Sequence, residues 1–181
     1  MKKMSGLAKV SSLGTVMQLA YVPVDFDEAL KFWTRTMGVG PFFHLRHIKI
    51  PAATYRGQAT QIDFSMGLAY WNDMQIELIQ PHDGTPSVYS EWLRSGQQGV
   101  HHMCLSVSDM NHARRVCIDA GAEIVQEFML DGGEAIYVDT GGGPGTMIEI
   151  LQPPPAITEL FAMIRVASKD WDGRDPLRVV G

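Results

Sequence analysis

Ile76-Glu-Leu-Ile-Gln-Pro81 returns 72 residues later as Ile148-Glu-Ile-Leu-Gln-Pro153, and this repeat decides how the rest of the chain is read. An internal repeat fixes the architecture before any single motif is weighed. The openings of the two units match as well. Gln18-Leu-Ala-Tyr-Val-Pro-Val-Asp25 aligns with His102-Met-Cys-Leu-Ser-Val-Ser-Asp109 at an offset of 84, so the first unit is longer in its middle. Gln18 and Glu77 therefore hold the places in one unit that His102 and Glu149 hold in the other.

Each unit reads as strand, helix, then three strands. Residues 17–24 are mostly apolar and end in a turn. Asp25 is a suitable N-cap, Glu28 extends it to a capping-box pattern, and Gly38 suits the left-handed end of the helix. Strands are expected at 42–50, 61–71 and 73–80, with Asn72-Asp73 as a turn. Thr85-Pro86 reads as the start of a short linker helix that Gly96 ends. The second unit repeats the plan: a strand at 100–107, a helix capped by Asp109 and stopped by Gly121, and strands at 122–130, 134–139 and 145–151. Pro153-Pro154-Pro155 breaks the chain, and a last helix from about Thr158 precedes a polar surface tail. The expected divisions are a tail at 1–14, a first βαβββ module at 15–82, a linker at 83–98, a second module at 99–153 and a C-terminal helix and tail at 154–181.

Side chains alternate across a strand, so neighbours of a residue show which face it avoids. Met17 and Leu19, Ile76 and Leu78, Met103 and Leu105, Ile148 and Ile150 flank the four equivalent residues, and all eight are apolar. That face seats the helices. Gln18, Glu77, His102 and Glu149 share the opposite face, where two modules can enclose a cleft. A buried glutamate needs a partner or a cation. Two of them with an imidazole and an amide point to a cation.

Bulk properties exclude several classes. The chain has 181 residues, 45% apolar and 19% charged, which suits one domain or two modules sharing a core. A net charge of −5 offers no basic surface, so nucleic acid is not an expected partner. No apolar run is long enough for a membrane span, and residues 1–15 lack the apolar core of a signal peptide, so a cytoplasmic location is expected. Cys104 and Cys117 form neither a metal motif nor a disulfide framework.

Four segments in order, Gln18–Val24 with the helix after it, Met74–Pro81, Gly99–Asp109 and Ala135–Gln152, resemble the vicinal oxygen chelate superfamily of glyoxalase I, methylmalonyl-CoA epimerase, extradiol dioxygenases and bleomycin-resistance proteins. The phrase Gly99-Val-His-His-Met-Cys-Leu-Ser-Val is especially similar to epimerase and glyoxalase sequences. The resemblance implies an α+β fold of tandem βαβββ modules forming a curved mixed sheet around a cleft, with an additional C-terminal helix here. It implies Gln18, Glu77, His102 and Glu149 as ligands of a divalent ion (Co, Ni, Mn, Mg, Zn or Fe), a set similar to that of the glyoxalase I group. It implies proton abstraction beside a metal-chelated carbonyl, with Glu149 the first choice of base and Glu77 the second. The expected function is a metal-dependent isomerase, epimerase or lyase acting on a small molecule, either an acyl-CoA or a small oxo or hydroxy acid. The alternatives are a non-catalytic binding or drug-resistance protein and an iron-dependent ring-cleaving dioxygenase, which the glutamine at the first ligand position disfavours. A homodimer is also expected.

Two departures narrow this. No glutamate stands near residues 55–59, where similarity to the epimerases would place a second catalytic carboxylate, and no basic cluster suits glutathione. Tyr137, Cys104, Met66 and Trp71 are candidate cleft residues, though each suits plain packing too. His101 should face away from His102 as a partly buried packing or surface histidine; His44, His47, His82 and His112 carry no motif. Gly141-Gly-Gly-Pro-Gly145 lies between strands and lacks the lysine of a phosphate loop, so it reads as a turn.

Overall fold

The computed structural model describes residues 9–50 and 52–180; residues 1–8 of the expected N-terminal tail, Pro51 and Gly181 lie outside the described residues. The first repeat unit supplies β1 (Val16–Tyr21), α1 (Phe26–Lys31, continued by a π-helical turn to Thr36), β2 (Phe42–Lys49), β3 (Ala52–Tyr55), β4 (Gln58–Thr60), β5 (Asp63–Trp71) and β6 (Met74–Pro81). After α2 (Val88–Ser95), the second supplies β7 (Val100–Ser106), α3 (Met110–Asp119), β8 (Glu123–Leu130), β9 (Gly133–Asp139) and β10 (Met147–Gln152). The chain closes with α4 (Pro155–Ser168) and β11 (Leu177–Val180).

The eleven strands among the described residues form one sheet in the order β11-β2-β5-β6-β1-β7-β10-β9-β8-β3-β4. The repeat is visible in the pairing. β1 runs parallel to β6, β7 runs parallel to β10, and the halves meet where β1 lies antiparallel to β7. Each half thus has its first strand at the centre and its last strand next to it, which brings the four repeat-equivalent residues together.

The alternation read from sequence sets both faces. Leu19, Tyr21, Ile76 and Leu78 pack under α1 with Phe26 and Trp33. Leu105, Ile148 and Ile150 pack under α3 with Met110, Ala113 and Cys117. Asp25 accepts from Glu28 N at 3.0 Å and Asp109 from His112 N at 2.9 Å, so both helices start at their expected caps. Glu28 does not complete a capping box; its carboxylate binds Lys31 instead.

The inner face is covered by α2 and α4. Val88, Tyr89 and Trp92 of α2 join a core with Phe64, Phe128 and Tyr137, and α4 lays Ile157 and Phe161 against it. The cap of α2 is Ser87, whose hydroxyl exchanges bonds with Ser90, two residues beyond the expected Thr85. Pro155 opens α4, three residues before the expected Thr158, because the first helical position needs no N–H.

Two further elements depart from the expected plan. Residues 52–60 form a hairpin whose first strand pairs with β8 of the other half, so the first unit reaches across to close the second. The tail is not wholly surface coil, for Leu177–Val180 pair in parallel with β2 from Phe42 to Leu45. Among the described residues no helix is long and apolar enough to cross a membrane.

Ile164 fixes α4 to the sheet, fully buried against Phe43, Leu68 and Tyr70. Ile164→Ala leaves a hole there and should cost about 2–5 kcal/mol in urea unfolding. A loss under about 0.5 kcal/mol would show that α4 is not held by this contact.

Candidate metal centre

Register places the polar residues in two adjacent rows. Gln75, Gln18, Cys104, Glu149 and Tyr137 lie side by side across β6, β1, β7, β10 and β9. Glu77, Ala20, His102 and Met147 form the next row. Glu77, His102 and Glu149 present ligand atoms that all lie within 4.8 Å of one another. His102 Nε2 is 3.1 Å from Glu149 Oε2 and 3.6 Å from Glu77 Oε2. All three residues are buried, as is Gln18.

Two acceptors here lack any hydrogen-bond partner: Gln18 Oε1 and Glu77 Oε2. Gln18 is turned so that its Nε2 donates to Gln75 Oε1 at 2.6 Å, and Gln75 Nε2 donates to Tyr70 Oη at 3.1 Å. Burial, with the Glu149 carboxylate nearby, pushes the Glu77 carboxyl well above its usual range. A site that concentrates unsatisfied oxygens and carboxylates in this way is costly as it stands and suits a cation.

His101 corrects the sequence reading. It is fully buried rather than partly buried or on the surface, and it is tied to the site: its Nδ1 lies 2.8 Å from His102 Nδ1, and its Nε2 lies 3.3 Å from the Val88 carbonyl. A carbonyl only accepts, so His101 Nε2 carries the proton that it donates there. Burial, then the neighbouring His102, holds the His101 pKa down to about 3, so its ring is neutral and its Nδ1 is bare. His102 Nδ1–H must then be the donor between the rings. This leaves His102 Nε2, the nitrogen facing both glutamates, as the atom able to hold a cation or a proton. A partner that fixes the tautomer of a ligating histidine is a common support of metal sites.

The cavity over these groups is about 170 Å³ and is lined by Gln18, Glu77, Glu149, Tyr137 and Met66 among others. The Tyr137 hydroxyl lies 2.5 Å from that of Tyr89, and its ring meets His102 edge-on at 5.1 Å. Cys104 does not reach the cavity; it is fully buried in the floor beside Gln18, with Sγ 3.7 Å from the Leu105 carbonyl. Trp71 lies on the wrong face: β5 turns Phe64, Met66 and Leu68 inward, while Trp71 is half exposed 6.3 Å from Trp33. Gln75 was legible, since it stands two residues before Glu77 and must share its face.

A second group lies on the outer face. His47 Nδ1 is 3.1 Å from Asp63, His82 Nε2 is 2.7 Å from Ser65 Oγ, and the two imidazoles stack at 4.2 Å. Each imidazole here already has a protein partner, unlike the orphaned oxygens of the cleft.

A model of the Glyoxalase/Bleomycin resistance protein/Dioxygenase superfamily matches residues 17–140. Among solved structures, methylmalonyl-CoA epimerase of Mycobacterium tuberculosis superposes with a TM-score of 0.54 at 19% identity, over 82% of this chain and 95% of that one. A single-substitution variant of the Streptomyces coelicolor epimerase, in complex with 2-nitronate-propionyl-CoA, gives 0.52 at 16%, over 79% and 96%. A mutant of 4-hydroxymandelate synthase from Streptomyces coelicolor gives 0.50 at 12%, over 86% of this chain and 53% of that one. At such identities these likenesses speak for the fold. A search of the curated proteins finds no match.

Two outcomes follow for His101. Its folded pKa of about 3 lies below the ordinary 6.5, so between these values the unfolded chain binds a proton that the native one refuses. His101 therefore favours the native state above pH 6.5 and withdraws that support as pH falls toward 3. Thermal melts of metal-free protein should show His101→Gln less acid-sensitive than wild type, by up to about 1.4 kcal/mol per pH unit; parallel curves would refute the assignment. In calorimetric titrations His101→Leu should bind a divalent ion about 10–100-fold more weakly than wild type.

Proposed function

The chain belongs to the Glyoxalase/Bleomycin resistance protein/Dioxygenase superfamily, and on that premise we propose that it is a metal-dependent isomerase, epimerase or lyase. The supporting observation is the convergence of Glu77, Glu149 and His102 in a buried cleft where Gln18 Oε1 and Glu77 Oε2 have no partner. Three oxygens and one nitrogen fit a divalent ion such as Co, Ni, Mn, Mg, Zn or Fe. When bound, that ion would supply Lewis acidity, polarising a substrate carbonyl and stabilising the negative charge left by loss of the neighbouring proton.

The remaining steps belong to the chain's own groups. Gln18 and His102 are held in place by Gln75 and His101. Glu149 is the base of first choice: it accepts the proton from carbon on one carboxylate oxygen, becomes a neutral acid and donates the proton back. Glu77 is the second choice. Return of the proton to the opposite face gives epimerisation, return to the adjacent carbon gives isomerisation, and loss of a leaving group instead gives elimination. The Tyr137 hydroxyl, kept protonated by burial, is a neutral donor for a substrate oxygen. Ring cleavage by iron is the weaker reading, because this set offers a single imidazole. Apolar walls favour non-catalytic small-molecule binding as the second reading.

Elemental analysis should find about one equivalent of metal more in wild type than in His102→Ala. The difference is the relevant figure, because His47, Asp63 and His82 are also spaced to take an ion. Equal metal content in both proteins, with none taken up on titration by either, would turn the reading to a binding protein. Deuterium entry beside the carbonyl of α-hydroxy ketones, followed by NMR, should fall about 10²–10⁴-fold in Glu149→Gln. Full exchange in folded Glu149→Gln and Glu77→Gln variants would sink the mechanism.

We further propose a homodimer. The four ligand candidates lie on one chain. Light scattering that finds a fully active monomer would remove this proposal.

A further inference from the structure

We infer that the cleft takes a small uncharged molecule, about the size of one aromatic ring, carrying two neighbouring oxygens, rather than an anionic carboxylate or a coenzyme A ester. The oxygen pair rests on the chelating reading above. The size rests on the walls alone, and the neutrality on the walls together with the charge sum at the polar end.

The size limit comes from the cavity. Its volume is about 170 Å³, close to the ~150 Å³ of an apolar protein cavity that holds benzene. Polar groups gather at one end. The rest is hydrocarbon: Leu45, Ile48, Phe64 and Phe128 from the sheet, Leu160 and Phe161 from α4. Such a chamber receives an apolar body and aims its oxygens at the polar end.

The charge argument is independent. None of the described residues that line the cavity is Lys or Arg. Arg165 lies over the Tyr70 ring, 4.6 Å from its centroid, but its guanidinium is bound to Asp73 at 2.6 Å outside the cavity. Arg178 sits over Phe43 at 5.8 Å. At the polar end a divalent ion and the two carboxylates sum to zero net charge, with Gln18 neutral and His102 neutral when it ligates. An anion entering this chamber gives up its hydration with no net positive charge to replace it. A neutral hydroxy ketone or diol escapes that loss.

α4 sets this selectivity, and it lies outside the segment shared with the family, residues 17–140. Ile157, Leu160 and Phe161 form one wall of the chamber, while Ile164 and the Ser168 hydroxyl, which accepts from Tyr70 N at 3.3 Å, hold the helix to the sheet.

Calorimetry of Ni(II)-loaded protein with three probes tests this. The probes are 2-hydroxyacetophenone (neutral, one ring), mandelate (its anionic counterpart) and 2-hydroxy-1-(2-naphthyl)ethanone (neutral, two rings). The first should bind about tenfold or more tightly than either other, a gap of about 1.4 kcal/mol. Mandelate binding as tightly overturns the neutrality; the naphthyl probe binding as tightly overturns the size; binding of none overturns both. Phe161→Ala, or Leu160→Ala should the first not fold, should recover the naphthyl probe about tenfold, and unchanged affinity in a folded variant removes α4 from the inference. Metal uptake is titrated first without probes. Its failure removes the chelation reading and the charge sum built on it, whereas the order of the one-ring and two-ring neutral probes in metal-free protein still tests the size of the chamber.

Discussion

Two carboxylates and an imidazole are buried on the inner face of a sheet, and much of the molecule is arranged around the cost of putting them there. Desolvating Glu77 next to Glu149 raises its proton affinity, and the fold does not cancel that with an arginine or lysine. It leaves Glu77 Oε2 and Gln18 Oε1 unsatisfied. Stability alone would favour apolar residues of similar size, since a buried charge without a partner is destabilising. The arrangement is consistent with selection for what the cleft holds.

The supports of the site are more fully satisfied than the site itself. Tyr70, Gln75 and Gln18 form a chain of hydrogen bonds that orients one amide. The Val88 carbonyl, His101 and His102 form another that decides which imidazole nitrogen faces the glutamates. Each chain starts from one repeat-equivalent position, Gln18 or His102, and runs outward into its own packing. The duplication is therefore symmetric in its strands and asymmetric in its supports. Met147 stands where symmetry would put a second copy of Gln75.

The duplicated strands supply most of the chamber's walls, and the elements outside the repeat plan are few. α2 lies between the two units, α4 follows the second, and the hairpin of residues 52–60 fills the longer middle of the first. The hairpin's place is informative. It occupies the stretch where the epimerase resemblance would put a second carboxylate, yet its strands serve to extend the edge of β8.

The repeat, the βαβββ plan of each unit and the face taken by the four repeat-equivalent residues were legible in the sequence. Alternation is a local property of period two, and the eight apolar neighbours of Gln18, Glu77, His102 and Glu149 left one face for them. What was not legible depends on partners distant in sequence. The alternating stretch 64–71 offered both Met66 and Trp71 for the cleft, but five residues apart on β5 they take opposite faces, and the pairing gave the inner one to Met66. His101 reads as plain packing because nothing in a strand pattern shows that Val88, thirteen residues earlier, returns to bind it. Nor does a short polar tail announce β11, whose residues have strand character only because β2 offers an open edge. The sequence placed four repeat-equivalent polar residues on one face. Tertiary structure decided how tightly they are enclosed, which nitrogen is free and how large a molecule can join them, because those follow from contacts between segments that no local pattern couples.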